Sequence, residues 1–397
     1  MLQSYFYVYS IMILEKGDFM NSIFLRLNNN EVNSVKDEKV NSLVNELKLK
    51  GILPIEDLKY IIENISISES RNLFKLADMV KNQYYGNKVY LRALIEVSNY
   101  CKQGCFYCGI NRDNKSIKRY RLTEDEVFEA VKKAYDLGYR TFVLQGGDDP
   151  FLNDDIISSI LVKIKTAFPQ TRITLSLGEK TQASYDKLKL AGADRYLLRH
   201  ETASFKHYMY LHPQDMLYDN RIKCLHYLRS SKYQVGTGMM IGSPYQTVDT
   251  LVSDLMFLYK FQPEMIGIGP FIHHHDTKFK DHSDGGLYET LIMISLARII
   301  VPKALIPATT ALGSIVEGGR ELALKAGANV LMPNLGPEEQ RELYKIYDNK
   351  ITTSDSDIVF KNKLEKKLIN EGHAVDYSVG DHIDLEGVKL WLIKSIF

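Results

Sequence analysis

The sequence predicts an α/β fold, a (β/α)8 TIM-type barrel carrying an N-terminal helical extension and a C-terminal tail. Three observations predict it. From about Tyr90 onward, short β-rich runs alternate with amphipathic stretches of helix length, the pattern of parallel strands joined by crossover helices. Eight such runs can be counted, which suits a barrel better than an open sheet, although counting does not separate a closed barrel from a partly open one. The connections following several of these runs are long and rich in Gly, Asp and His, as expected where function gathers on the C-terminal face.

The elements follow in order. Tyr5–Leu14 is an apolar run, too short to span a bilayer. With no basic residue before it and no small-residue cleavage site after it, it does not read as a signal peptide. Met20 is an alternative start that would make residues 1–19 a translated extension. Between residues 36 and 86, Val40, Leu43, Val44 and Leu47, then Leu58, Ile61 and Ile62, then Leu73, Leu76 and Met79 recur at helical steps. The predicted strands are Leu91–Val97, Thr141–Gln145, Ile173–Leu177, Arg195–Glu201, Val235–Ile241, Met265–Phe271, Ala304–Thr309 and Asn329–Met332. Helices are expected over Glu124–Leu137, Asn153–Ala167, Thr247–Tyr259 and Tyr288–Ile300, with Thr123 and Thr247 placed to cap orphan amides. The distinctive loops are Asn99–Tyr120, Gln145–Pro150 and His273–Gly286. The expected domains are 1–86, an extension with helices; 87–350, the barrel; and 351–397, a terminal cap or tail.

Composition narrows the function classes. Lys+Arg 50 against Asp+Glu 49 gives a formal charge of +1, without the basic excess of a protein that lives on nucleic acid or an anionic membrane. Neither partner is expected. At 45% hydrophobic and 25% charged residues the chain has the balance of a folded globular protein. Of only four cysteines, Cys101, Cys105 and Cys108 crowd together and Cys224 stands apart. That is a ligand set in a reducing compartment rather than a disulfide framework, so a cytoplasmic location is expected.

Cys101-Lys-Gln-Gly-Cys105-Phe-Tyr-Cys108 is a C-x3-C-x2-C in the loop after the first predicted strand. Three thiolates at this spacing can hold one face of an iron-sulfur cube, one ligand short of saturation. The fourth iron is then open, and an open metal position is a place for chemistry. Zinc is the alternative, but zinc sites usually pair two C-x2-C units or add His at set offsets, and no second pair exists.

With this trio, and an aromatic residue, Tyr107, before its last cysteine, the chain resembles the radical S-adenosylmethionine (radical SAM) enzymes. From about Tyr90 to Tyr347 it resembles, within their biotin-synthase-like branch, the HydE family of FeFe-hydrogenase maturases. The stretches that carry the likeness are Cys105–Asn114, Arg119-Tyr-Arg-Leu122, Leu144-Gln-Gly-Gly-Asp-Asp149, Leu175-Ser-Leu-Gly-Glu179, Tyr196–Ala203, Gly267–Ile272, Ile306–Gly313 and Asn329–Asn334. The resemblance implies a 4Fe-4S cluster on Cys101, Cys105 and Cys108, with S-adenosylmethionine (SAM) on the fourth iron. It implies that Gly146, Gly147 and Asp148 form the loop that meets the methionyl ammonium, where glycine allows close approach; alone, the same stretch reads equally as a strand-to-helix turn. It also implies SAM contacts from Tyr107, Ser176, Glu201 and Arg221, and a substrate-anion pocket from Arg199, Thr309, Thr310, Ala311 and Met332.

Residue patterning bears on these roles. In an extended strand Leu197, Arg199 and Glu201 share one face, and two buried charges need either each other or polar ligands. Thr309-Thr310 at a strand end also suits helix capping. Tyr344 and Tyr347 match a family Tyr-x-x-Tyr, or are aromatics packed at helical spacing. Gly236-Thr-Gly238-Met-Met-Ile-Gly242 lies in a strand with no helix at the offset of a dinucleotide fingerprint; its small residues admit the adenosyl group or let barrel walls approach.

Two features depart from the family. His273-His274-His275 stands where prolines usually flank a single histidine, and reads as a solvated loop or a metal ligand run. No cysteine follows Cys224, so a second cluster near the C-terminus cannot be cysteine-ligated, and Cys224 reads as a packed thiol.

The function implied is radical SAM chemistry in H-cluster maturation: a 5'-deoxyadenosyl radical attacking the sulfur of a cysteine-bound Fe(CO)2CN precursor. Implied partners are that organometallic substrate, other hydrogenase maturases and a reducing electron donor. Alternatives are a methylornithine-synthase-like mutase and a non-catalytic iron-sulfur carrier. Biotin synthase is disfavoured because it needs further cysteines along the strands.

Overall fold

The computed structural model describes residues 37–352 and 356–385, so the apolar run Tyr5–Leu14 and Met20 lie outside the described residues. Three helices come first: α1 (Glu38–Lys50), α2 (Ile55–Asn64) and α3 (Ile67–Tyr85). Their expected apolar stripe is buried at Val40, Leu43, Val44, Leu47, Leu58, Ile61, Leu73 and Leu76, while Met79 faces solvent. Ser66 and Glu69 form a reciprocal capping box at the start of α3.

The α/β part then runs β1 (Lys88–Leu91), β2 (Ala93–Ser98), α4 (Glu124–Asp136), β3 (Thr141–Gly146), α5 (Asp154–Ala167), β4 (Arg172–Ser176), α6 (Gln182–Leu190), β5 (Arg195–Leu197), α7 (Phe205–Leu211), α8 (Tyr218–Ser230), β6 (Gln234–Ile241), α9 (Val248–Phe261), β7 (Met265–Pro270), α10 (Leu287–Ile300), α11 (Thr310–Ile315), α12 (Gly319–Lys325), β8 (Val330–Leu331) and α13 (Glu338–Arg341). Thr123 and Thr247 cap α4 and α9, as expected, through capping boxes with Glu126 and Thr250. After these come α14 (Asp357–Asn370) and β9 (Ala374–Asp376). No helix among the described residues is long and apolar enough to cross a membrane.

Regular pairing is all parallel and forms two sheets: six strands in the order β2-β3-β4-β5-β6-β7, and three in the order β8-β1-β9. Isolated bridges Met265↔Leu305, Pro307↔Val330 and Leu94↔Asn334 link one sheet to the other. The expected strand Ala304–Thr309 is therefore a bridged segment, and the ladder around the ring is not continuous. Pro307, in its middle, has no N–H to give to a ladder. The first predicted strand divides into β1 and β2 at Arg92, and the fourth stops at Leu197 instead of Glu201.

The end of the ring nearest the strand N-termini is filled from the C-terminal side. β9 pairs with β1, and the next residues pass beneath the strands. There the Asp381 carboxylate, almost fully buried, accepts from Arg172 Nε (3.0 Å to each oxygen), Arg195 Nη2 (2.8 Å) and Gln234 Nε2 (2.8 Å).

Candidate active site

The site assembles at the strand C-termini, where most functional groups ride on a strand end or the loop after it and Arg221 is supplied by helix α8. The cysteine loop, 99–120, is shaped by its own polar side chains. Arg119 gives Nη1 to the carbonyls of Asn99 and Ile110 (2.8 Å to the latter), and Nη2 to those of Asn111 (2.6 Å) and Asn114 (2.9 Å). Asn99 Nδ2 donates to the carbonyls of Lys118 and Leu343, both at 2.9 Å, and its Oδ1 accepts from Tyr120 N. One guanidinium and one amide thus satisfy carbonyls that an irregular buried loop would leave orphaned.

That loop is docked on the turn after β3. Lys102 N donates to Asp148 O (2.9 Å), Gln103 Nε2 to Asp148 Oδ2 (2.8 Å), and Lys102 Nζ stands 3.3 Å from Asp148 Oδ1. Gly147 lies so close beneath that a Cβ there would fall 2.1 Å from Tyr100 O and 2.7 Å from Cys101 Cβ. The next residue, Asp149, is fixed by Arg121 Nε (2.7 Å) and Ser98 Oγ (2.7 Å). The turn is therefore built to approach the first cysteine.

The three thiols fit a cluster. Burial pushes all three up, Cys108 to about 12, and Arg221 partly offsets this at Cys105, so they form thiolates only against a strong local positive charge such as bound metal. The thiols sit near enough to act on one another's charge, a set of three soft donors that suits one face of an iron-sulfur cube.

Beside the thiols stands a charged group drawn from three elements. Arg199 and Glu201, beyond the end of β5, pair with each other: Nε lies 3.1 Å from each carboxylate oxygen, and Nη2 also reaches Oε2. Burial pushes Glu201 up, but Arg199 and Arg221 outweigh it and hold its carboxyl below the usual range. Glu201 has φ 66, the left-handed region that a non-glycine side chain rarely adopts. Arg221, from α8, gives Nε to Glu179 Oε1 (2.5 Å) and Nη1 to Arg199 O (2.7 Å). Tyr107 Oη sits 3.3 Å from His212 Nε2, and His212 donates Nδ1–H to Tyr208 O (3.0 Å); burial lowers His212 to about 3, so its ring is neutral.

The expected substrate residues divide between two places. On β7, Gly267 and Gly269 share a face; a Cβ at the first would lie 3.6 Å from Arg199 Cδ, and at the second 2.9 Å from Thr309 Oγ1. Thr309 stands at the cap position of α11 but makes no side-chain cap bond, and its buried hydroxyl has no partner. The capping alternative therefore fails there. Thr310 and Met332 instead line a cavity of about 340 Å³ shared with Glu96, Asn334 and Lys350. Ala311 is buried beside them in α11, and Ser176 ends β4 half-buried.

Other features resolve differently from expectation. Tyr344 and Tyr347 lie beyond α13 and are not helical, so helical spacing does not account for them. A Cβ at Gly238 would lie 1.9 Å from Gly267 O, which makes close strand approach one use of that glycine run. Cys224 is 1% exposed, a packed thiol as expected. The histidine run is not simply solvated: His274 is buried and would strike a Cβ at Gly109, while His273 and His275 pair with Asp284 and Asp348, each at 2.7 Å. The His274 and His275 rings stack (4.4 Å between centroids), and His274 Nδ1 accepts from Asp276 N. This loop closes over the cysteine loop. Glu179, His212, Asn99 and Arg119 were not singled out by sequence reasoning; Glu179 and Arg119 lie in the quoted motifs, but His212 and Asn99 gave no pattern of their own.

The model of the radical SAM superfamily matches residues 95–258, from β2 into α9. Fold and site together make this chain a radical SAM enzyme, a class that works with a 4Fe-4S cluster and SAM. It is 47% identical over 298 residues to the [FeFe] hydrogenase maturase subunit HydE of Thermotoga maritima, covering 74% of this chain and 85% of that one. It is 30% identical over 306 residues to the 3-methylornithine synthase of Methanosarcina barkeri, covering 76% and 85%. The crystal structure of methylornithine synthase, PylB, superposes with a TM-score of 0.75 at 26% identity, over 87% of this chain and 99% of that one. The chain belongs to the HydE family.

Proposed function

We propose that this enzyme serves FeFe-hydrogenase maturation by producing a 5'-deoxyadenosyl radical that attacks the sulfur of a cysteine-bound Fe(CO)2CN precursor. The observation that carries this reading is the cysteine trio set against the Arg199–Glu201–Arg221 group, in a chain much nearer to a HydE than to a methylornithine synthase in sequence. The cluster, held by Cys101, Cys105 and Cys108, supplies the electron that breaks a sulfonium S–C bond of SAM.

The chain's own residues hold and shield the reactants. Gly147 lets backbone come close to the methionyl group, with Gly146, Asp148 and Ser176 at neighbouring strand ends. Glu201 stays ionised and accepts from SAM hydroxyl or ammonium donors, while Arg221, locked to Glu179, fixes the backbone of Arg199. The unpartnered Thr309 hydroxyl and the Arg199 guanidinium face the glycine side of β7 and bind an anionic substrate, while Thr310 and Met332, with Ala311 beside them, line the neighbouring cavity that takes the rest of it. Tyr107, packed edge-on against neutral His212 (5.5 Å), helps to exclude water from the cluster side.

In this reading the partners are the organometallic substrate, the other maturases and a reducing electron donor, and the enzyme works in the reducing cytoplasm, where its thiols stay free. Two experiments test it. Cys105→Ala should abolish 5'-deoxyadenosine release from reduced protein and SAM; a variant that still releases it would refute the cluster assignment. Deleting the gene should leave the host's FeFe-hydrogenase inactive until complemented, and an unaffected hydrogenase would exclude the maturase role.

A further inference from the structure

Glu201 has an unusual backbone and lies beyond the regular part of its strand, so something other than the sheet must hold it. β5 ends at Leu197, and Glu201 keeps only the bridge to Met239, giving its N–H to Gly238 O (3.0 Å) while its carbonyl accepts from Met240 N (3.3 Å). Behind this segment lies a second polar group, fully buried: His200, Thr237 and Asp254 are each 0% exposed.

The group is joined by hydrogen bonds and one close polar contact. Thr237 Oγ1, on β6, accepts from His200 N (3.2 Å) and lies 2.9 Å from His200 Nδ1. On the other side of the ring, His200 Nε2 lies 3.3 Å from Asp254 Oδ1, a close polar contact without hydrogen-bond geometry. The same carboxylate oxygen accepts from Ala203 N, and Ala203 O accepts from Tyr218 Oη (2.9 Å). Asp254 thus bonds the Ala203 amide and sets its carboxylate against the His200 ring, touching the segment on each side of Glu201.

The carboxylate is costly where it stands. The other inward positions of α9 are Leu251, Val252, Leu255 and Leu258, and Asp254 Oδ2 has no partner at all. A buried carboxylate with one bare oxygen is worse for stability than the leucine its neighbours would suggest. A strained backbone at a reacting site persists only when its surroundings over-determine it.

We infer that Asp254, acting through the His200 ring and the Ala203 amide, is a positioning residue that holds Glu201 and Arg199 in their SAM-binding geometry. This rests on the reading of Glu201 as a SAM contact. The test compares Asp254→Ala, Asp254→Asn, Thr237→Val, Glu201→Gln and Leu258→Ala as fully reconstituted enzyme, measuring KM for SAM, kcat for 5'-deoxyadenosine release and Tm. Asp254→Ala should raise KM about tenfold or more with kcat within about threefold, a loss of binding rather than of chemistry. Asp254→Asn retains an acceptor for the Ala203 amide and should recover part of that loss, and Thr237→Val, which removes one hydroxyl, should raise KM about threefold even if Asp254→Ala fails to fold. Leu258→Ala, one turn along the same helix, should lower Tm without moving KM. If Glu201→Gln raises KM and the Asp254 and Thr237 variants do not, or if Leu258→Ala raises it equally, the positioning role is overturned. If Glu201→Gln leaves KM unchanged, the SAM reading of Glu201 falls and the inference falls with it.

Discussion

Two adjacent glycines ought to respond very differently to one added methyl group. At Gly147 a Cβ would meet Tyr100 O at 2.1 Å and Cys101 Cβ at 2.7 Å, both in the cluster loop. Relaxed non-bonded carbon contacts lie at about 3.5–4.0 Å, so one partner must retreat by about 1 Å. The loop cannot easily do so, because Lys102 N is bonded to Asp148 O, Gly147 N to Ser98 O, and Arg119 spans four of its carbonyls. At Gly146 the nearest atoms, Ser98 O, Leu177 Cδ2 and Val97 Cγ2, stand at 3.2–3.3 Å, so each needs to give by only a few tenths of an ångström. Overpacking costs about 1–3 kcal/mol in stability. The larger effect is on geometry, since a shift of about 1 Å at a reacting centre can cost about a hundredfold in rate. Gly147→Ala should therefore lose about a hundredfold in 5'-deoxyadenosine release, and Gly146→Ala no more than about threefold. The assay is product release per cluster, with iron content measured on the same samples. Gly147→Ala with wild-type iron content and wild-type release would refute the claim that this turn is fitted to the cysteine loop.

Other expectations can be checked with simpler measurements. Asp381→Asn breaks a buried cluster in which one carboxylate answers Arg172, Arg195 and Gln234, and should destabilise the protein by about 3–5 kcal/mol; an unchanged denaturant midpoint would show that the C-terminal segment does not secure this end of the ring. Thr309→Val removes a buried hydroxyl without a partner in the protein, so it should leave Tm unchanged or higher while weakening turnover of the proposed iron precursor, and equal turnover would remove Thr309 from the proposed substrate site. Burial lowers the pKa of His207, His212, His274, His373 and His382, with His212 at about 3. Their neutral forms stabilise the fold above the unfolded value of about 6.5, and that stability is lost as pH falls below it, by up to about 1.4 kcal/mol per pH unit for each proton taken up on unfolding. His275, raised by its bond to Asp348, works in the other direction. Urea midpoints should fall between pH 7.5 and pH 5.5, and a flat or rising profile would contradict the neutral burial of these rings.

Local pattern made much of the fold readable, and its failures have local causes too. The four helices expected between Glu124 and Ile300 begin and end within two residues of expectation: three carry a side-chain cap and an apolar stripe within their own span, while α10, uncapped and buried continuously from Thr290 to Ile300, is marked by its apolar run alone. The strands were harder. Pro307 deprives the seventh of a donor, and Arg92 interrupts the first where its guanidinium turns toward Met265 Sδ (3.2 Å) and the Gly380 carbonyl. The role of the C-terminal segment was not legible at all, since Asp381 meets partners about two hundred and about one hundred and fifty residues away in sequence, and no short-range periodicity encodes such a meeting.

The site shows the same division between local and distant information. Cysteine spacing and the Gly-Gly-Asp turn are local, so both could be read in place, and docking of one on the other follows from their positions after neighbouring strands. Alternation along a strand put Arg199 and Glu201 on one face, and they do pair, but not as strand residues: Glu201 turns to φ 66, so the face argument reached the right partners through the wrong backbone. What alternation cannot convey is who enforces that turn. Asp254 on α9 and Glu179 after β4 reach this segment from elsewhere in the chain. A lone Asp among leucines on a helix's inner face is nonetheless a visible anomaly in the sequence. Because a buried carboxylate is expensive without a purpose, Asp254 could have been marked from Leu251, Val252, Leu255 and Leu258 alone, before its partners were known.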